Sequence, residues 1–282
     1  MYERYWNLKE KPFENTPDPR FIYLSPQHEE ALSRLIYAIR EQKGAVLLTG
    51  EYGSGKTLLS RVLLDELSGD HYKVAFVLNP KLSPEDLLKE IIYQFGLDVA
   101  GLSSKTDLLH KLNAILLANK QAGKNSVVLI DEAQAIPEGS GFEELRLLLN
   151  FQLNDRFLLT LILMGQPELK QKINALPQLR QRISVAYHLT ALPKKETKLY
   201  VKHRLGVAGC NIEVFSNSAF GEIYRFSGGI PRRINNLCDI ALLVGSSKRL
   251  YKITKRTIKD VAMDLGEVPI DFEQKVQVES NG

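Results

Sequence analysis

From Ser25 onward, apolar residues return every three or four positions. Ala31, Leu32, Leu35, Ile36 and Ile39 fall on one face, Pro26 occupies a first-turn position, and Gly44 closes the run. That spacing predicts an amphipathic helix. The pattern then changes to short apolar runs bounded by turn residues: Ala45 to Thr49, Val74 to Leu78, Val127 to Ile130 and Phe157 to Met164. Runs of this length predict buried strands, and Val185 to Leu189 supplies a fifth. Helical patterns separate them over Thr57 to Leu67, Pro84 to Phe95, Thr106 to Lys120 and Phe142 to Leu153. Parallel neighbours cannot be joined by a tight turn, so strands alternating with helices predict an α/β fold with a doubly wound parallel sheet.

After Pro193 the strand signal stops. Helical spacing continues over Lys194 to Val207, Asn217 to Phe226, Pro231 to Val244 and Thr257 to Leu265, which predicts a small all-helical domain. The chain divides on this reading into an N-terminal segment (1–24), the α/β domain (25–191), the helical domain (192–265) and a loose C-terminal tail (266–282).

Composition narrows the class. Of the 282 residues, 44% are hydrophobic and 25% charged, which excludes a disordered, collagen-like or fibrous chain. Two cysteines, Cys210 and Cys238, make no disulfide framework and fit a reducing compartment. The N-terminus alternates aromatic and charged residues without the apolar core of a signal peptide, so the expected location is the cytoplasm. The longest apolar stretch, Phe157 to Met164, falls far short of the roughly 18 to 20 residues of a membrane-spanning helix. Net charge is only +4, but residues 190 to 265 hold 14 Lys/Arg against 6 Asp/Glu, so the helical part is the basic one.

The strongest chemical signal is Gly50-Glu51-Tyr52-Gly53-Ser54-Gly55-Lys56-Thr57, a G-x-x-x-x-G-K-[ST] loop between a predicted strand and a predicted helix. Its glycines let successive N–H groups face phosphate oxygens, and the following helix N-terminus adds a favourable dipole. Lys56 would reach the β- and γ-phosphates and the Thr57 hydroxyl would bind Mg²⁺, with Leu58 completing the binding stretch. The strand Val127 to Ile130 ends in Asp131 and Glu132, about 75 residues downstream. Asp131 would hold Mg²⁺ directly or through water, and Glu132 would polarise the attacking water. Gln166, at the end of the strand Phe157 to Met164, can touch both water and γ-phosphate, or can equally cap a turn beside Pro167. Arg180, Arg182, Arg232 and Arg233 are candidates to stabilise transition-state charge, although an arginine is by itself an ordinary surface residue.

In their order along the chain, GEYGSGKT, VVLIDEAQ, LILMGQPEL, LRQRI and GGIPRRINNLCD resemble the AAA+ ATPases. More narrowly, PFENTPDPRFIYLSPQHEEAL, EELRLLLNFQLNDRFLLTLILMGQPELKQKI and LRQRISVAYHLTAL resemble the ExeA/GspA family of secretion ATPases and the pilus-associated MshM, over roughly residues 1 to 265. The resemblance implies a P-loop AAA+ domain followed by a helical lid. Gly50 to Thr57 become Walker A, Asp131 and Glu132 Walker B, Gln166 sensor one and Arg232 sensor two. Arg180 or Arg182 becomes the arginine finger delivered in trans, and Ile22 and Tyr23 flank the adenine. Longer ExeA-type proteins continue into a membrane-spanning helix and a peptidoglycan-binding region, neither of which lies within these 282 residues. The chain is then either the cytoplasmic core of a longer protein or a short relative that meets the membrane through partners.

The expected function is a Mg²⁺-dependent, homo-oligomeric ATPase that drives assembly of an envelope secretion or pilus machine, at the inner face of the cytoplasmic membrane. The alternative is a nucleotide-gated DNA-binding ATPase of the transposition or replication-initiation type. It is motivated by Lys248, Arg249, Lys252, Lys255, Arg256 and Lys259, with Tyr251 alone among them as an aromatic. The same basic patch could instead dock anionic lipid headgroups. The five histidines show no metal-ligand spacing.

Overall fold

Strands β1 (Ala45–Gly50), β3 (Asn125–Ile130) and β4 (Leu159–Gly165) are almost wholly buried in the computed structural model, which describes residues 1–102 and 104–270. Strands β2 (Tyr72–Val77) and β5 (Ile183–Leu189) alternate between covered and exposed positions. The difference follows from place: the five parallel strands run in the order β2-β3-β4-β1-β5, so the uninterrupted apolar runs are interior and the alternating ones form the edges. Register brings the carboxyl ends to one edge of the sheet, within two residues of each other. Thr49 of β1 lies opposite Gly165 of β4, Leu163 of β4 opposite Ile130 of β3, and Ile130 opposite Val77 of β2.

The helices of this unit are α1 (Pro26–Arg40), α2 (Lys56–Glu66), α3 (Pro84–Gln94), α4 (Lys105–Gln121), α5 (Ser140–Leu148), α6 (Pro167–Asn174) and α7 (Pro177–Arg180). Leu87, Leu88, Ile91 and Ile92 of α3 and Leu112 and Leu116 of α4 pack with the strands in one apolar core. Ser83 and Ser104 accept hydrogen bonds from the third backbone N–H of α3 and α4, which fixes where those helices begin.

Two local expectations change. The predicted helix over Phe142 to Leu153 ends at Leu148, and the predicted strand from Phe157 begins at Leu159. Between them the chain reverses, with Gln152 and Phe157 paired antiparallel and Leu153 N–H donating to Arg156 O. Apolar Phe157 belongs to this reversal because its ring packs against Gly44, where an added Cβ would lie 2.9 Å from Cε2.

The chain separates into two compact units, one of residues 26–52 and 56–189, the other of residues 1–25, 53–55 and 190 onward. The second is helical: α8 (Lys194–Val207), α9 (Asn217–Ser227), α10 (Pro231–Ser247) and α11 (Lys255–Asp264). Its core includes Val201, Ile223, Ile234, Ala241 and Ile258, together with Tyr2, Trp6, Phe13 and Phe21 from the N-terminus. Trp6 Nε1–H donates to Leu242 O at 2.9 Å, and Arg204 Nη2 donates to Glu14 O at 2.9 Å. The sequence-predicted tail lies outside the described residues from 271 onward. No helix among the described residues is long and apolar enough to cross a membrane.

Candidate functional site

The loop between β1 and α2 needs glycine at two points, because Gly53 (φ +78°) and Gly55 (φ +101°) take left-handed backbone angles that side chains disfavour. Lys56 opens α2 and is 5% exposed. Its Nζ donates to Gly50 O at 2.8 Å and Glu51 O at 3.0 Å, so the ammonium stands within the curve of the loop. Burial pulls the Lys56 amine below its ordinary pKa, against the opposing pull of Glu132, Asp131 and other carboxylates. Leu58 is half-buried on α2, and Tyr52 is exposed at the loop.

Asp131 follows β3 directly and its N–H extends the sheet ladder to Val77 O at 3.0 Å. The Thr57 hydroxyl donates to Asp131 Oδ2 at 2.8 Å, and the Glu132 N–H donates to Oδ1 at 2.9 Å. Asp131 is 2% exposed, and burial raises its carboxyl pKa despite those two donors. A hydroxyl and a carboxylate oxygen in contact are hard donors of the kind Mg²⁺ takes from protein, leaving its other positions to water and phosphate. Among the described residues there is no group of three or more His, Cys, Asp or Glu that could hold a metal ion.

Glu132 turns the chain sharply at φ +49°, ahead of a short 3₁₀ turn, Ala133–Ala135. Its Oε2 receives the side-chain amides of Gln134 and, at 3.4 Å, Gln166. Gln166 makes no cap to α6 with its side chain; Pro167 begins that helix and the Gln166 amide is directed to Glu132 instead. Gln134, which the sequence reading passed over, also accepts the Gln166 backbone N–H at Oε1, at 3.1 Å. The signal for it was its place two residues after the acidic pair, but its partner lies on β4 and spacing along one strand does not name it.

The arginines separate. Arg180 is the last residue of α7 and exposed, and its guanidinium makes no ion pair or hydrogen bond among the described residues. Arg182 lies beyond the helix, so the two do not share one helix surface; its Nη1 donates to Leu149 O at 2.7 Å. In the helical unit, Arg232 stands in the first turn of α10, where its N–H donates to Gly53 O at 3.3 Å, and Arg233 pairs with Glu267. Tyr23 Oη donates to Glu196 at 2.6 Å, and its ring meets Tyr200 edge-on; Ile22 adjoins it in the same unit.

The glycine-bounded lysine loop after β1 and the acidic residues after β3, at the carboxyl ends of a 5-1-4-3-2 parallel sheet, are the arrangement of the AAA+ class of P-loop nucleotide-binding proteins, to which the chain belongs. The family described as AAA domain matches residues 39–173. Within the class the chain is of the ExeA/GspA type: it is 42% identical over 273 residues to general secretion pathway protein A of Aeromonas hydrophila, covering 95% of this chain. The match takes in 49% of that relative, so the chain spans about half its length. Among solved structures, the Aeropyrum pernix ORC2 protein in its ADPNP-ADP complexes aligns with TM-score 0.65 at 16% identity, over 94% of this chain and 74% of that one. The Aeropyrum pernix ORC1 protein in complex with DNA aligns with TM-score 0.66 at 17% identity, over 90% and 68%. At that identity the likeness is one of fold.

Proposed function

We propose that the chain hydrolyses ATP with Mg²⁺ and that hydrolysis powers assembly of an envelope secretion or pilus system. The observation that carries this reading is the contact of Thr57 with Asp131, beside a Glu132 carboxylate oriented by two amides. Loop N–H groups and Lys56 would hold the phosphates, Thr57 and Asp131 the metal, and Glu132 would accept a proton from the attacking water. Bound Mg²⁺ would neutralise charge developing between the β- and γ-phosphates. The family resemblance supports Ile22, Tyr23 and Arg232 as nucleotide contacts and Gln166 as the sensor of the γ-phosphate. Arg180 is the finger supplied in trans within a homo-oligomer, since it is exposed while Arg182 is engaged at Leu149 O. The relative's name, general secretion pathway protein A, supports the secretion role, and a place at the inner face of the cytoplasmic membrane is part of the same proposal.

The test is Glu132→Gln, which keeps size and hydrogen-bonding reach but removes the base. Turnover should fall by about 10²-fold or more while ATP affinity is retained. Unchanged turnover would remove Glu132 from its role.

A second reading, DNA binding, draws on Tyr251, which is 97% exposed between Arg249 and Lys252 and could stack on a base. Lys252 and Lys255 are paired with Glu213 and Glu222, which spends part of the patch's charge within the unit. A titration across salt decides it: binding should weaken steeply as salt rises, and no binding at low salt ends this reading. Vesicles of acidic lipid test the lipid alternative in the same way.

A further inference from the structure

We infer that Gln134 is a positioning residue that holds the Glu132 carboxylate in its working rotamer, an inference that rests on the hydrolytic role proposed for Glu132. A glutamate on a left-handed turn at a strand end can take more than one staggered rotamer, each aiming its oxygens differently. Here Oε2 is occupied by the amides of Gln134 and Gln166, which leaves Oε1 as the oxygen free to take a proton. The orientation of the Gln134 amide is set by its neighbours. The Gln166 N–H must be accepted by Oε1 of Gln134, so only Nε2 can face the carboxylate, and the pairing is complementary at both ends.

The residue is itself anchored. Lys172 Nζ donates to Gln134 O at 2.9 Å and pairs with Glu138 at 3.2 Å, so α6 fixes the main chain of the 3₁₀ turn. On the other side β4 must end in glycine: a Cβ on Gly165 would lie 2.5 Å from Gln134 Oε1. Gln134 is half-buried and takes no part in the apolar core, so its links lie along the edge where β3 and β4 end.

Gln134→Glu separates the positioning role from a structural one. The carboxylate has the same reach and still accepts the Gln166 N–H, but it cannot donate to Glu132 and repels it. With the full chain, kcat for ATP should fall by about ten-fold while KM stays within about two-fold, and the protein should stay folded at the assay temperature, read as an unchanged far-UV circular dichroism spectrum. Gln134→Ala should lower kcat alike, yet cause no further loss of the residual single-turnover rate in a Glu132→Gln background, because the group it orients is gone. Unchanged kcat in Gln134→Glu, a loss that persists in the Glu132→Gln background, or loss of the folded spectrum at the assay temperature together with kcat would overturn the inference. If Glu132→Gln itself leaves turnover intact, the proposed role of Glu132 fails; if it removes turnover while Gln134→Glu does not, only the role of Gln134 fails.

Discussion

Burial holds the Asp131 carboxyl above its ordinary range, because two donors do not replace the water it gives up. A group whose folded pKa is raised favours folding fully below its unfolded pKa and loses that contribution as pH rises through the folded value. At neutral pH the ionised Asp131 therefore costs the protein stability. Asp131→Asn removes the ionisation and keeps both hydrogen bonds, since the amide oxygen can accept the Glu132 N–H and its NH₂ can donate to the rotated Thr57 hydroxyl. Without nucleotide, the variant should melt higher than the parent at pH 8, the gap closing as pH falls below the carboxyl range. A constant gap across pH in calorimetry would contradict this. Under the proposed role of Asp131 at the metal, a charge kept at the cost of stability is what a working site carries. Lys56, Thr57, Asp131 and Glu132 were legible in the sequence because each is fixed by short spacing to a strand end or a helix start. Gln134 was not, since its meaning depends on β4 lying beside β3, and the alternation of strands and helices leaves strand order open.

Elements were legible where burial was uniform and were lost where it was local. The strands β1, β3 and β4 read as apolar runs because both of their faces are covered, whereas α6 and α7 are short and begin with proline, so Pro167 and Pro177 look like turns. The ending of α7 at Arg180 is what gives two neighbouring arginines different surroundings. Arg182 pairs the carbonyl at the end of α5, so Arg182→Ala should lower stability by about 1–3 kcal/mol through an unpaired buried acceptor, read in urea unfolding. Arg180→Ala should leave that transition unmoved and lower ATP turnover by about 10³-fold, as loss of a trans-acting arginine does. Mixing Arg180→Ala with Glu132→Gln protein should restore turnover, because an intact Glu132 then receives Arg180 from its neighbour. Two inactive variants that stay inactive when mixed would place the finger elsewhere.

At the scale of the molecule, the helical unit closes its core with residues from both ends of the chain, so it cannot be understood as the segment after β5 alone. Tyr2, Trp6, Phe13 and Phe21 are buried among α8 to α11, and Gly245 leaves the space the indole fills: an added Cβ there would lie 2.7 Å from Trp6 Cζ2. Aromatic residues among charges at an N-terminus lack helical or strand periodicity, which is why their pattern alone did not say which core they enter. Trp6 is the chain's single tryptophan and 1% exposed, so its emission reports on this unit. Phe13 meets Phe215 edge-on at 6.3 Å, and Phe13→Ala should cost about 3–5 kcal/mol by opening a cavity between the N-terminal segment and the helices. In denaturant, the red shift of Trp6 should then come at a clearly lower midpoint with an unchanged slope. Were the N-terminal segment only draped on the surface, the Trp6 transition would stay where it is in the parent.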